Sequence, residues 1–341
     1  SLSIFKKRFP IQRVERMIVM KFGGTSTQDA AAMTNVAEIV RSSIDHNPVV
    51  VISAIAGATN ALEKIGACAT GQNIDEAQSI IGALIDRHAS IVDTLIKDRS
   101  RNAGLHKVLM KAKSELEEIV RGVAILRELT PRTPDTFYSF GELLSSQLVA
   151  AVLQETKVDA VWLDTNEFMI TDDNYNCAIP MTETVETRLR ALALPLIKEG
   201  KVPVTQGYIG VTTSGRRTTM GRESSDYSAA VIGAALGAED IQIWTDVDGI
   251  LTSDPRIVKS PMKVKELSFE EAYELSFFGA KVLHPSTMLP AIEKNISIHI
   301  YNSRNPRRSG TRVITSSKDA EAVVKSVAYK RDLVLLNVWP K

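Results

Sequence analysis

Apolar and polar positions fall in blocks along the chain, and the blocks predict strands and helices in alternation. Met17 to Phe22 (MIVMKF) is apolar except for Lys21 and reads as a buried strand running straight into Gly23-Gly24. From about Asp29 to Ile44 the apolar residues take helical spacing, with Val36, Ile39 and Val40 on one face. Pro48 then precedes VVVISA, a second buried strand that ends in the Ala56-Gly57-Ala58-Thr59 turn. Strand, turn and helix in that order predict a parallel sheet covered by helices.

Between Asp75 and Leu129 the pattern turns helical throughout. Leu84, Ile85, His88, Ile91, Val92 and Leu95 form one stripe, and Val108, Leu109, Leu116, Ile119 and Val120 another. Both read as core-facing stripes of a helical hairpin inserted in the α/β unit. Pro131 and Pro134 are expected to end the insert before a helix from about Thr136 to Glu155. Val158 to Leu163 follows as a strand, Glu183 to Lys198 as a helix and Val202 to Gln206 as a strand. The polar, glycine-centred Thr213 to Arg217 predicts a hairpin turn. Next come a helix Ser224 to Leu236, a strand Asp240 to Thr245, and helices near Ser268 to Phe277 and Pro285 to Lys294. Strands at Ile298 to Tyr301 and Thr311 to Ile314 complete the series. Val323 to Val338 alternates as a strand–turn–strand rich in Val and Leu, which needs a neighbour, so the chain is expected to stop within a further domain.

Composition narrows the function classes. With 341 residues the chain can bury a sizeable core, as one large domain or two. Lys plus Arg is 41 against 40 Asp plus Glu, so bulk attraction to nucleic acid or to an anionic membrane is not expected, and any anion must be bound locally. The most apolar stretch, Pro48 to Ala58, is about half the ~20 residues of a membrane helix. The basic Ser1 to Arg16 lacks an apolar core and a cleavage site, and reads as an N-terminal arm packing through Phe5, Phe9 and Ile11. Cys68 and Cys177 form no metal-type or disulfide framework, and the cytoplasm is the expected compartment.

No GxxxxGK[ST] occurs, and no GxGxxG follows a strand. Instead Lys21-Phe22-Gly23-Gly24-Thr25-Ser26 closes the first strand, where glycine amides can approach an anion beside an ammonium group; glycine pairs also simply make tight turns. Gly221-Arg222-Glu223-Ser224-Ser225-Asp226 opens a helix that Ser224 or Ser225 could cap. Arg222 can grip a carboxylate, and Asp226 can hold an amine or position another group. Asp246 and Asp248 lie just past a strand's carboxyl end, where open α/β sheets bind ligands, although turn chemistry would use the same residues. Phe278 to Pro285 (FGAKVLHP) puts Lys281 after a glycine and before a helix, and His284 there reads as structural.

Together KFGGTS, VISAIAGATN, SFGE, GRESSDYSAA, IWTDVDGI, TSDPR and FGAKVLHP stand in the order found in aspartate kinases, of the amino acid kinase superfamily. The resemblance covers about Ile18 to Ile314, and the terminal strand–turn–strand resembles the start of that family's regulatory ACT domains. It implies a three-layer αβα sandwich with a mostly parallel sheet. A catalytic domain would span residues 17–315, with an amino-acid-binding lobe over 17–205, its helical insert at 75–129, and a nucleotide-binding lobe over 206–315; 316–341 would be linker and the start of an ACT domain. The implied reaction is Mg-ATP-dependent phosphorylation of the β-carboxylate of L-aspartate to 4-phospho-L-aspartate, with Mg2+ carried mainly on the ATP phosphates and no protein metal site. The longer protein would be a homo-oligomer.

Carried over by position, Lys21 would contact the transferred phosphoryl group, with Gly23 and Gly24 lining the phosphate site. Ser53 and Thr59 would lie in the segment holding aspartate and the phosphoryl end, Glu142 would pair with the substrate ammonium, and Arg222 would hold a substrate carboxylate. Ser225 and Asp226 would complete the site, with Asp226 orienting the lysines. Thr245, Asp246 and Arg256 match nucleotide contacts, and Lys281 with Val282 matches the lysine that reaches the ATP phosphates. Glu223 stands where many relatives have a small residue, and Leu251 where many have tyrosine near the nucleotide. Other acceptors handled by this superfamily are glutamate, carbamate and nucleoside monophosphates, and a catalytically silent amino-acid sensor is the rival from another class.

Overall fold

The computed structural model describes residues 16–221, 224–277, 283, 285–315 and 324–329, with backbone alone for 285–288. The chain opens with β1 (Ile18–Phe22), α1 (Ala30–Ser42) and β2 (Pro48–Ile52). Asp29 caps α1, its carboxylate accepting from the Ala32 amide at 2.8 Å. Helix α2 (Ala58–Thr70) follows β2, and the insert consists of α3 (Ile74–Leu95) and α4 (Arg99–Leu126). Then come α5 (Arg132–Glu155), β3 (Ala160–Trp162), α6 (Thr165–Phe168), β4 (Ile170–Thr171), α7 (Thr182–Lys198) and β5 (Val202–Gln206). The hairpin β6 (Ile209–Thr212) and β7 (Arg217–Thr219) leads to α8 (Ser225–Leu236) and β8 (Asp240–Thr245). Last are β9 (Glu266–Ser268), α9 (Phe269–Phe277), α10 (Pro285–Lys294), β10 (Ser297–Asn302) and β11 (Thr311–Ile314).

Eight strands form one sheet in the order β3-β5-β2-β1-β8-β10-β11-β9, parallel except where β11 runs against β10. The order reverses at β1, with β2 and β5 on one side and β8 and β10 on the other. Registers Phe22–Ile52, Phe22–Trp244 and Tyr301–Trp244 bring the carboxyl ends of β2, β1, β8 and β10 level along one edge. Alternation sorts the core into two layers. Ile18, Met20, Phe22, Val50 and Ile52 pack toward α1–α5, while Val19, Val49, Val51, Ile241 and Ile243 pack toward α7, α8 and α10. These layers make the three-layer αβα sandwich. A smaller sheet, β4-β6-β7, stands beside α5, where the buried Asp135 carboxylate accepts from the Thr219 hydroxyl at 2.6 Å and from the amides of Thr219 and Asn176, each at 2.9 Å.

Four sequence expectations are corrected. Ala58 and Thr59 are the first turn of α2 rather than a loop, because Gly57, at φ 83°, turns the chain directly into the helix. Pro134 lies inside α5, which starts at Arg132; a first-turn proline forfeits no helical hydrogen bond, so it does not end the element. Neither serine caps α8: Ser224 precedes the helix at φ −84° and ψ 6°, not the extended geometry of a cap, and makes no capping bond, while Ser225 is already helical. Of Val323 to Val338, residues 324–329 carry no strand and the others lie outside the described residues, as does the arm before Arg16. No helix among the described residues is long and apolar enough to cross a membrane.

Candidate functional site

Period-two alternation turns Lys21 to the same side of β1 as Val19, the side that α8 covers. Its Nζ meets Oδ1 of Asp226, in the first turn of α8, at 2.5 Å, and both side chains are largely buried. Helix α8 can come this close because its sheet-facing residues are small: a Cβ on Gly233 would stand 2.8 Å from the Ile241 side chain. At the same edge a Cβ on Gly207 would come within 2.7 Å of Ser225 Cβ, so the end of β5 packs directly on the start of α8.

The glycine loop is tied to both neighbouring strands. The Gly23 amide donates to Trp244 O at 3.0 Å, so it continues the β1–β8 ladder rather than facing an anion as the sequence suggested. Gly23 instead leaves room: a Cβ there would stand 3.7 Å from Lys21 Nζ. A Cβ on Gly24 would lie 2.8 Å from Ala54 O, against the backbone of the next loop. Ser26 and Ser303 hydroxyls meet at 2.7 Å, and Ser303 donates to Thr245 O, which fastens the ends of β1, β8 and β10 together.

Helix α5 holds the Ser53–Ala54 segment from below. Gly141 lets it approach, since a Cβ there would be 2.7 Å from Ala54 Cβ. Glu142 Oε1 accepts from the Ala54 amide at 3.1 Å, and the Ser145 hydroxyl donates to Ser53 O at 2.8 Å. Glu142 is buried, and its second oxygen has no partner among the described residues. Burial pushes its carboxyl up to about 8, against the opposing pull of the Ala54 amide and of the Lys21 charge. Among the described residues nothing donates to the second oxygen, which leaves a buried acceptor position open. Above it, Tyr208 adopts φ 65° and is buried beside Leu143.

Lys21, Gly23, Gly24, Ser53 and Thr245 thus gather at the carboxyl edge of β2, β1 and β8, with Ser225 and Asp226 at the start of α8 and Glu142 on α5 against them, while Thr59 lies in the first turn of α2 and no described contact ties it to the others. Asp246 lies exposed just past β8, accepting from the Thr245 hydroxyl at 3.3 Å. Arg256 bonds within its own loop, as a fork on Asp254 at 2.6 Å, and no described contact links it to Lys21. Leu251 pairs in an isolated bridge with Lys263, and its carbonyl accepts from Ser326 at 2.7 Å. Arg222, Glu223, Lys281, Val282 and His284 lie outside the described residues. Sequence reasoning passed over Ser145 and Ser303, and gave Gly141 and Ser26 no role of their own within SFGE and KFGGTS. The three-residue spacing of Glu142 and Ser145 on one helix face was the available signal, whereas Ser26 and Ser303 meet only through the fold.

A lysine at a glycine loop, at the reversal point of a parallel sheet, stands where open α/β sheets bind their ligands. The chain belongs to the amino acid kinase family, whose sequence profile matches residues 16–302. Within it the relatives are aspartokinases: the chain is 38% identical over 329 residues to the chloroplastic aspartokinase 2 of Arabidopsis thaliana, covering 95% of this chain and 59% of that protein. It is 36% identical over 330 residues to the lysine-sensitive aspartokinase 3 of Escherichia coli, covering 95% and 70%. The crystal structure of E. coli aspartokinase III in complex with aspartate and ADP superposes with a TM-score of 0.78 at 36% identity, over 89% of this chain and 66% of that one. The chain spans about three-fifths of the length of the Arabidopsis relative.

Proposed function

We propose that this chain carries the phosphotransfer site of an aspartate kinase, which uses ATP to phosphorylate the β-carboxylate of L-aspartate. The carrying observation is the bare, buried oxygen of Glu142 beside the Lys21–Asp226 pair. One end of the site is built for an ammonium group and the other for a phosphoryl group. The aspartokinase III structure with aspartate and ADP supports the choice of both substrates.

In this reading a β-carboxylate oxygen of aspartate attacks the γ-phosphorus of ATP, the bond to the bridging oxygen breaks, and ADP leaves with that electron pair. The acceptor is already an anion, so no protein base or nucleophile is required, and catalysis is positioning plus charge neutralisation. Glu142 takes the α-ammonium and Arg222 a carboxylate, which fixes the β-carboxylate toward Lys21. Asp226 holds Lys21 beside the transferred phosphoryl group, where its charge meets the charge of the transition state. Ser53 and Thr59 offer hydroxyls at the phosphoryl end, and Ser225 completes the wall against Gly207. Thr245, Asp246, Arg256, Lys281 and Val282 serve the nucleotide, with Lys281 on its phosphates. Mg2+ would enter on the ATP phosphates. When bound, Mg2+ shields phosphate charge.

A hydroxamate assay with ATP, Mg2+ and L-aspartate tests the proposal, run beside acceptor-dependent ADP release with glutamate, carbamate and uridine monophosphate. Aspartate-dependent acyl hydroxamate supports it. Turnover of another acceptor alone, or binding of aspartate without turnover, replaces it with a different family activity or with a sensor.

A further inference from the structure

Arg87 lies on α3 of the helical insert, one residue before the buried His88 and outside the apolar stripe of Leu84, Ile85 and Ile91. Its guanidinium leaves the insert and reaches the loops above the sheet edge. Nη1 donates to Ala56 O at 2.5 Å and Nη2 to Gln28 O at 2.8 Å. Gln28 ends the glycine loop just before the cap of α1, and Ala56 sits between Ser53 and Thr59 in the loop after β2. The backbone of Ala56 is held on both of its flanking peptides, because its amide donates to Gly24 O at 3.0 Å while its carbonyl accepts from Arg87.

The geometry suits arginine alone among the cations. Two carbonyls from different loops are met by two nitrogens of one planar fork, so their separation is fixed; a lysine would offer a single point charge on a flexible stem. The neighbouring Gly57, at φ 83°, has no side chain to hold that turn in place. Reacting groups carried on two loops lose rate steeply when the loops drift, about a hundredfold for a displacement near 1 Å.

We infer that Arg87 is a positioning residue: it braces the loop after β2, which carries Ser53 and leads into Thr59 in the first turn of α2, against the glycine loop of β1, and so makes the helical insert a working part of the phosphotransfer site. The consequence for rate rests on the proposed phosphotransfer; the brace itself does not. Arg87 touches neither substrate in this account.

The experiment compares wild type with Arg87→Ala and Arg87→Lys in the whole chain, by hydrogen exchange, thermal unfolding and steady-state kinetics. In Arg87→Ala, exchange should quicken in peptides over residues 24–30 and 53–60 but not over β8. Its kcat should fall about tenfold or more, with KM for ATP within about threefold of wild type and the unfolding temperature nearly kept. Guanidinium ion at tens of millimolar should restore part of that kcat, yet do nothing for Lys21→Met, and Arg87→Lys should recover less than guanidinium does. Unchanged loop exchange overturns the inference, as does wild-type kcat in Arg87→Ala, or a loss tracking global destabilisation without rescue. If wild type phosphorylates no aspartate, the functional proposal fails separately, and loop-confined exchange still decides for or against the brace.

Discussion

Nζ of Lys21 and Oδ1 of Asp226 stand 2.5 Å apart, one at the end of β1 and the other in the first turn of α8. The pair joins the sheet to the helix that covers it. It also restrains a long, flexible side chain at the sheet edge. A lysine so held presents its charge without paying the rotamer entropy of a free chain at the moment of reaction.

Lys21→Met should therefore leave a folded protein whose kcat is down by about a hundredfold or more, roughly 3 kcal/mol of transition-state stabilisation. The substitution strands Asp226, so Lys21→Met/Asp226→Asn is the control that restores charge balance without restoring the ammonium. Steady-state rates alongside circular dichroism decide it. Near wild-type kcat in a folded Lys21→Met would remove this lysine from the chemistry.

Glu142 supplies a pH signature. Its carboxyl is pushed up to about 8 by burial, so at pH 7 most free protein holds it neutral. An ammonium ligand needs the anion, and binding must expel the proton. Then kcat/KM for aspartate should climb with pH and level off above about 8, and calorimetry at pH 7 in buffers of different ionisation enthalpy should show proton release on binding. Glu142→Gln should flatten that limb and raise KM for aspartate well above its effect on KM for ATP. A profile unchanged by the substitution would mean that Glu142 serves only the Ala54 amide.

Much of this was legible in the sequence, for physical reasons that differ by element. The apolar runs of β1, β2, β5 and β8 mark strands buried on both faces, and the insert stripes have the 3.6-residue period; both patterns are local. Gly24 and Lys21 could be singled out because a glycine pair closing a strand marks close backbone approach, as Gly24 makes to Ala54, and a lysine stands out in an apolar strand. What escaped was set by distant partners. Strand β4 has two residues and exists because β6 lies beside it, and Asp135 gains its role only when Thr219 and Asn176 fold over it. Gly23 was read as an anion donor because nothing local shows that Trp244 O takes its amide.

The two loop glycines should part company on substitution. A Cβ at Gly24 would stand 2.8 Å from Ala54 O and 3.2 Å from Ala56 N, both backbone atoms with little freedom to retreat. At Gly23 the nearest atoms are 3.6 Å and 3.7 Å away, an ordinary contact, and its φ of −72° suits any L residue. Gly24→Ala should cost on the order of 1–3 kcal/mol and most of the activity, whereas Gly23→Ala should fold with stability near wild type. Urea unfolding of the two variants, measured in parallel, checks the ordering. Equal losses would mean that the loops shift more easily than their contacts allow.

His88 predicts how the insert answers acid. Its ring is buried in α3, with Nδ1 on Leu84 O at 2.8 Å and Nε2 without a partner among the described residues, and burial lowers it from 6.5 to about 4. The folded state therefore keeps the ring neutral where the unfolded chain protonates it. Between pH 6.5 and 4 the unfolded state binds more protons, so stability falls as pH falls through that window and is fully present above it. The shift corresponds to about 2 kcal/mol lost by pH 5 and on the order of 3 kcal/mol below pH 4. Carboxylates elsewhere titrate too, so the informative quantity is the difference between wild type and His88→Leu, which has no proton to gain. Urea midpoints at pH 7.5 and pH 5 should drop further for wild type than for the variant, and hydrogen exchange should place the added opening in α3 and α4. Parallel losses in the two proteins would show that the His88 ring reaches water, or a partner, before the helix yields.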